Sequence, residues 1–265
     1  MAIIQFFSDY SLFVILSLAL LAFIAGFLDA VVGGGGLIQL PALLINFPNS
    51  PIATLFGTNK IAALSGTSIA AYQYSRRIKF DYKLLAVTAL SSGIAAYSGA
   101  KVVSYINVNT LKPIILVILI LIAVYTYFKK DLGAYQTKSL SLKRRIINGI
   151  LIGLVVGFYD GFFGPGTGSF LVLGFVVILG FEFLQASAYA KVINCMTNIA
   201  ALAVFIRQGN FILGIAILMA VFNITGNLIG ARMALKNGNG FIRVFFLVIV
   251  SIMIIRYGYD IFTMR

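Results

Sequence analysis

The stretch GFLDAVVGGGGLI, residues 26–38, decides how this chain is read. An apolar run that begins near Tyr10 carries a carboxylate at Asp29, reaches Val32 and meets four consecutive glycines, Gly33, Gly34, Gly35 and Gly36. One glycine inside a helix costs about 1 kcal/mol relative to alanine, so four in succession end the helix. A second apolar run follows from Leu37 to Phe47, and at about 1.5 Å per residue it is only half as long as the first. The pattern predicts a helix, an irregular glycine segment and a half-helix, with an acid just ahead of the break.

The rest of the chain says what solvent this unit sits in. The 265 residues are 61% hydrophobic and only 10% charged, a balance that leaves too few polar groups to cover a water-soluble domain of this size. The predicted fold class is an all-α polytopic membrane protein with no soluble domain. The net charge of +13 does not mark a nucleic-acid binder. The basic residues sit in short runs between apolar stretches, Arg76, Arg77, Lys79 and Lys83 in one and Lys129, Lys130, Lys138, Lys143, Arg144 and Arg145 in another, as in cytoplasmic loops. Cys195 is the only cysteine and there is no histidine, so an internal disulfide is impossible and a metal site is not expected. The run from Leu12 to Val32 lacks a basic leader and a small-residue cleavage signature, and is read as a retained helix.

Apolar runs recur in one rhythm: Tyr10 to Val32, Leu37 to Phe47, Ile52 to Ser75, Leu84 to Ile106 and Leu111 to Phe128, then Ile146 to Phe163, Phe170 to Phe181, Leu184 to Ile206, Phe211 to Leu235 and Phe241 to Phe262. A shift of 131 positions pairs Asp29 with Asp160, Gly33 with Gly164, Gly35 with Gly166, Lys60 with Lys191, Arg76 with Arg207, Lys101 with Arg232 and Lys112 with Arg243, without a gap. Matched charges are scarce in so apolar a chain, and their constant register argues for duplication. Two transmembrane repeats are expected, 1–131 and 132–265, each of about four helices, with the glycine-broken helices at the repeat interface.

Four crossings per repeat follow if helix and half-helix together make one crossing. With the loops at 76–83 and 129–145 inside, both halves then start inside and the repeats are parallel. Lys101, Lys112, Arg232, Lys236 and Arg243 would lie outside, against the charge rule. If each short run makes a crossing of its own, each half has five and the repeats are inverted. Four is the favoured count.

The breaks are where chemistry is expected. Irregular backbone at membrane depth survives only where protein or a water-filled cavity satisfies it, and the half-helices beginning near Leu37 and Ser169 aim positive dipole ends and free N–H groups at the break. The second break is GFYDGFFGPGTGSF, residues 157–170, with Gly164, Pro165, Gly166, Thr167 and Gly168 in the place of the glycine run. Close helix packing would also use small residues, but four successive glycines exceed that need. Lys60 and Lys191, inside the helices that follow, are candidate anion ligands, flanked by Asn59 with Thr58 and Ser65, and by Asn194, Thr197 and Asn198. Asp29 and Asp160 either take protons or pair with the lysines, Asp29 with Lys60 and Asp160 with Lys191. Glu182 reads as an interfacial charge, Pro41 as a kink in its half-helix and Pro113 as a first-turn proline. No catalytic residue and no cofactor is expected.

The pattern Gly26 to Ile38, followed by Pro41 and by Gly57-Thr58-Asn59-Lys60, resembles the first repeat of the sulfite exporter TauE/SafE family, and Gly157 to Phe170 is similar to its second. Pro165 and Thr167 depart from the glycine-rich second motif that many members show. The resemblance implies a multi-pass secondary permease of a bacterial inner membrane with duplicated four-helix units. It would move small sulfur-containing anions such as sulfite or organosulfonates by proton coupling. Its partners would be the anion and the lipid bilayer, with a homo-oligomer open and no nucleic acid. A passive anion channel and a membrane-embedded enzyme are the competing classes. Against the enzyme stand the absence of histidine and of a recognisable nucleophile arrangement.

Overall fold

The computed structural model describes residues 10–102, 138 and 140–263, which are helical with no strand among them. The helices are α1 (Leu12–Val32), α2 (Gly36–Asn46), α3 (Ile52–Ser75), α4 (Tyr82–Val102), α5 (Leu142–Phe162), α6 (Thr167–Val177), α7 (Phe183–Arg207) and α8 (Leu213–Thr263). The expected helix at Leu111–Phe128, with Lys112, Pro113, Lys129 and Lys130, lies outside the described residues. The helices α1, α5, α7 and Leu213–Val248 of α8 are long and apolar enough to cross a membrane.

Local chemistry sets the boundaries. Ser11 caps α1 by accepting from Val14 N, and Gly33, at φ 82, closes its other end with an N–H bonded to Asp29 O. The helix α7 ends at Gly209, φ 70, whose N–H reaches Ile206 O while that of Asn210 reaches Phe205 O, a Schellman pattern. Gly238, φ 70 and ψ −157, breaks α8 between the two apolar runs read from the sequence. The short run placed at Phe170–Phe181 begins three residues earlier as α6, because Thr167, Gly168 and Ser169 are helical but not apolar.

The interior is mainly apolar, as in a water-soluble protein, but the outside is apolar too and a few ionic groups are buried. Phe13 is 79% exposed and Ile94 and Val155 are 69%, whereas Asp29, Lys60, Asp160, Lys191, Asn198, Asn223 and Asn227 are buried. Apolar outside and ionic inside is the arrangement lipid as solvent selects.

Among the described helices, α1 packs on the stretch of α8 ahead of Gly238, and α5 packs on α4. A Cβ on Gly26 of α1 would overlap the Asn223 carbonyl of α8, and one on Gly157 of α5 would lie 2.5 Å from Ser92 O of α4. Both pairs run parallel: Gly226 and Gly230 continue the first contact along Phe23 and Phe27, and Gly153 and Gly161 flank the second along Thr88 and Ala96. The central pair, α3 and α7, runs antiparallel, with the Phe56 ring 6.4 Å from Phe205 at one end and Ser68 Oγ 3.8 Å from Cys195 Sγ further along.

These directions correct the favoured topology. The half-helix α2 does not extend α1 across the bundle but turns back along it. A Cβ on Gly35 would lie 2.7 Å from Ala25 O, and the Phe47 ring is 5.7 Å from Tyr10 at the start of α1. As α3 and α7 correspond under the shift of 131, their opposed directions contradict parallel halves. The predicted outside position of Arg232 and Lys236 goes with it, since both line one cleft with Arg76 and Arg77.

Candidate functional site

The two glycine breaks meet. Gly33, at the end of α1, touches Gly168, at the start of α6, so closely that a Cβ on either would overlap the other's backbone. Gly36 faces Pro165, with 3.2 Å between the place of its Cβ and Pro165 Cα. One further bond holds the crossing, Ser169 Oγ donating to Val32 O at 2.9 Å, and the Tyr159 hydroxyl braces the second break from within by donating to Pro165 O at 2.6 Å. A side chain at Gly33 or Gly168 would separate the segments, which is why the sequence keeps glycine there; at Gly33 and Gly164, φ 82 and 90, the backbone conformation requires it as well.

An ion pair flanks each break, and the partners are exchanged relative to the pairs expected within one half. Lys60 Nζ lies 2.7 Å from Asp160 Oδ2, and Lys191 Nζ lies 3.2 Å from Asp29 Oδ2. The physical reason is the helix exchange described above: α5, bearing Asp160, and α1, bearing Asp29, each lean into the opposite block. Lys191 also donates to the Asp29 carbonyl. Each carboxylate has a hydroxyl partner too, Thr67 Oγ on Asp29 Oδ2 at 2.9 Å and Thr167 Oγ beside Asp160 Oδ1 at 2.7 Å. The ammonium groups lie near the C-terminal ends of α1 and α5, where helix dipoles favour cations; in the first turns of α2 and α6 the N–H groups of Leu37, Ile38, Gln39, Thr167 and Phe170 bond back to carbonyls of the breaks.

The remaining candidates divide. Gly34 lies in the break and its carbonyl accepts from Leu37 N, and the Gly166 carbonyl accepts from Phe170 N. Thr58 and Ser65 bond back to Thr54 O and Ile61 O, and Thr58 also accepts from Ile212 N, so these two serve the helices and a loop. Asn194 accepts from Thr197. Asn59 Oδ1 and Asn198 Nδ2 are buried polar atoms with no partner among the described residues, the condition in which a buried group takes water or ligand. Glu182, half-buried ahead of α7, accepts a hydrogen bond from Asn239 Nδ2 at 3.1 Å beside the Gly238 break.

Two groups were missed by the sequence reading. Thr67 was not singled out, although the shift of 131 places it opposite Asn198. An amide cluster joins Gln39 of α2 to Asn223 and Asn227 of α8, with Asn223 Nδ2 3.2 Å from Gln39 Oε1, and Gln39 Nε2 and Asn227 Oδ1 unpartnered. Asn223 and Asn227 stand one turn apart in an apolar run, the signal that drew attention to Asn194 and Asn198.

Comparison with known proteins agrees with this geometry in extent. A family model described as Sulfite exporter TauE/SafE matches residues 18–257, which includes both breaks and all four ionic residues. A probable membrane transporter protein, ORF9, of Sinorhizobium is 40% identical over 87% of this chain and 87% of its own. A probable membrane transporter protein of Haemophilus influenzae is 34% identical, covering 90% of this chain and 92% of its own, and the probable membrane transporter protein YfcA of Escherichia coli is 33% identical, covering 90% and 87%. No solved structure matches the chain.

Proposed function

The chain belongs to the sulfite exporter TauE/SafE family of membrane transporters, and we propose that it is a multi-pass permease of a bacterial inner membrane that carries small anions, sulfite and organosulfonates among them, together with protons. The observation that carries this reading is the pair of buried Lys–Asp bridges beside two touching glycine breaks. Each bridge is neutral as it stands. An anion that displaced a carboxylate from its lysine would leave one uncompensated negative charge in a buried site, which costs about 3–5 kcal/mol. A proton on the displaced Asp29 or Asp160 removes that charge and frees Lys191 or Lys60 to hold the anion beside the first turn of α2 or α6. Anion and proton therefore move together because burial enforces neutrality.

The two blocks are read as an inverted repeat with five elements each. The starts of α2, α3 and α4 at Gly36, Ile52 and Tyr82 recur at Thr167, Phe183 and Leu213, all by 131 positions, and α3 opposes α7. Inverted repeats that bring broken helices to a shared central site are an established transporter architecture. On this reading the cations of the loops between α3 and α4 and ahead of α5 share one end with Arg232 and Lys236. Lys101 and Arg207 lie at the other, and the charge rule places the richer end in the cytoplasm.

A thermal-shift screen of the purified protein against sulfite, sulfate, taurine and acetate, each at several pH values, tests the reading, since a ligand of the folded state raises apparent stability. A sulfur oxyanion should raise the melting temperature, and more so at lower pH, where the displaced carboxylate takes its proton. Equal, pH-independent responses to all four anions, or no response to any, would contradict it.

A further inference from the structure

Away from the glycine crossing, the ends of α3 and α8's first stretch and the start of α7 enclose a cleft of about 1160 Å³. Arg76, Arg77, Arg232 and Lys236 line it, with no carboxylate among the described residues of the lining. None of the four makes an ion pair among the described residues. Arg76 also lies over the Tyr72 ring, 5.9 Å from its centroid. Much of the remaining wall is apolar, with Ile69, Leu184, Leu228 and Leu235, and the Gln73 amide on it donates to Leu228 O at 3.3 Å. Tyr72, on the same wall, is 61% exposed, so the cleft reaches the outer surface of the bundle there.

We infer that this cleft binds an oxyanion presented by an acidic phospholipid headgroup. Four uncompensated cations call for a phosphate-type anion, and the apolar wall calls for an attached hydrocarbon part that a free inorganic anion lacks. Basic pockets between membrane helices take anionic headgroups for these reasons. The cleft also lies outside the duplicated machinery. Under the shift of 131, Arg76 and Arg232 keep basic counterparts in Arg207 and Lys101, but Arg77 corresponds to Gln208 and Lys236 to Tyr105. A translocation element would be expected in both halves; a lipid site on one face is needed once.

The inference is independent of what the protein transports. The test uses the full chain purified in mild detergent, with phosphatidylglycerol, phosphatidylcholine or inorganic phosphate added, reading bound lipid by native mass spectrometry and stability by thermal shift. Phosphatidylglycerol should be retained and should raise the melting temperature, phosphatidylcholine and inorganic phosphate should not, and Arg76→Gln/Arg77→Gln/Arg232→Gln/Lys236→Gln should lower retention about tenfold or more. The control Lys83→Gln/Lys143→Gln/Arg144→Gln removes exposed cations of the same end and should leave retention unchanged. If the fourfold variant does not fold, Arg232→Gln and Lys236→Gln singly should each weaken retention. Equal retention of both lipids, or equal losses in the control, would overturn the inference. Saturable phosphate binding that the fourfold variant abolishes, without lipid preference, would assign the cleft to a soluble anion instead.

Discussion

Exchanged ion pairing can be measured as coupling free energy. Lys191 and Asp29 have side-chain exposures of 1% and 10%, and Lys60 and Asp160 of 6% and 3%, so both pairs lie in the regime where removing one partner strands a buried charge. Lys191→Gln alone leaves Asp29 with only the Thr67 hydroxyl as a side-chain partner and should destabilise the fold by about 3–5 kcal/mol. Asp29→Asn alone strands the ammonium, with a similar cost. The double variant Asp29→Asn/Lys191→Gln strands neither, so its cost should be far below the sum and the coupling on the order of 3 kcal/mol. Lys60→Gln with Asp160→Asn should behave the same way. The combinations within one block, Lys60→Gln with Asp29→Asn and Lys191→Gln with Asp160→Asn, break both bridges and leave two stranded charges, so their costs should be close to additive. Unfolding of the four single and four double variants and wild type in mixed micelles, followed by circular dichroism, supplies the cycles. Couplings within a block as large as those between blocks would refute the pairing.

Gly33→Ala and Gly168→Ala should each destabilise by several kcal/mol, since a methyl group would overlap backbone across the crossing, whereas Gly238→Ala, with open space around it, should cost only its backbone strain, about 1–3 kcal/mol. Melting in detergent compares the three, and equal losses would remove the close approach from the account. Single cysteines placed at Arg76, Lys143 and Arg232 in a Cys195→Ser background should all react with an impermeant maleimide from one side of the membrane, and a cysteine at Arg207 from the other. A cysteine at Arg232 labelled from the side of that at Arg207 would restore the parallel arrangement.

Helix positions were largely legible in the sequence. The run Ile52 to Ser75 is α3 residue for residue, and Leu37 to Phe47 differs from α2 by one residue at each end. The glycine breaks, both lysines and both aspartates were legible as well, because ionic groups and consecutive glycines are rare and expensive in apolar helices. The pairing of the ions was not. It depends on α1 leaning into the C-terminal block and α5 into the N-terminal one, a matter of packing between segments far apart in the chain, through Gly26 against Asn223 and Gly157 against Ser92. The direction of α2 was also illegible locally, as an 11-residue helix after a flexible break can continue or return. One signal did bear on it: parallel halves put Arg232 and Lys236 on the wrong side of the charge rule, and the re-entrant arrangement removes that conflict.

The central claim is that the two exchanged Lys–Asp bridges are the anion and proton site. Uptake of labelled sulfite into proteoliposomes under an imposed pH gradient, with wild type and Asp29→Asn/Lys60→Gln/Asp160→Asn/Lys191→Gln, tests it most directly. The fourfold variant replaces every bridge member by its neutral isostere and strands no charge, so a melting temperature near that of wild type would establish that it is folded. The wild type should accumulate sulfite above equilibrium and lose that accumulation when the pH gradient is collapsed, while the folded variant should match protein-free vesicles. Undiminished, gradient-driven uptake by the folded variant would contradict the account.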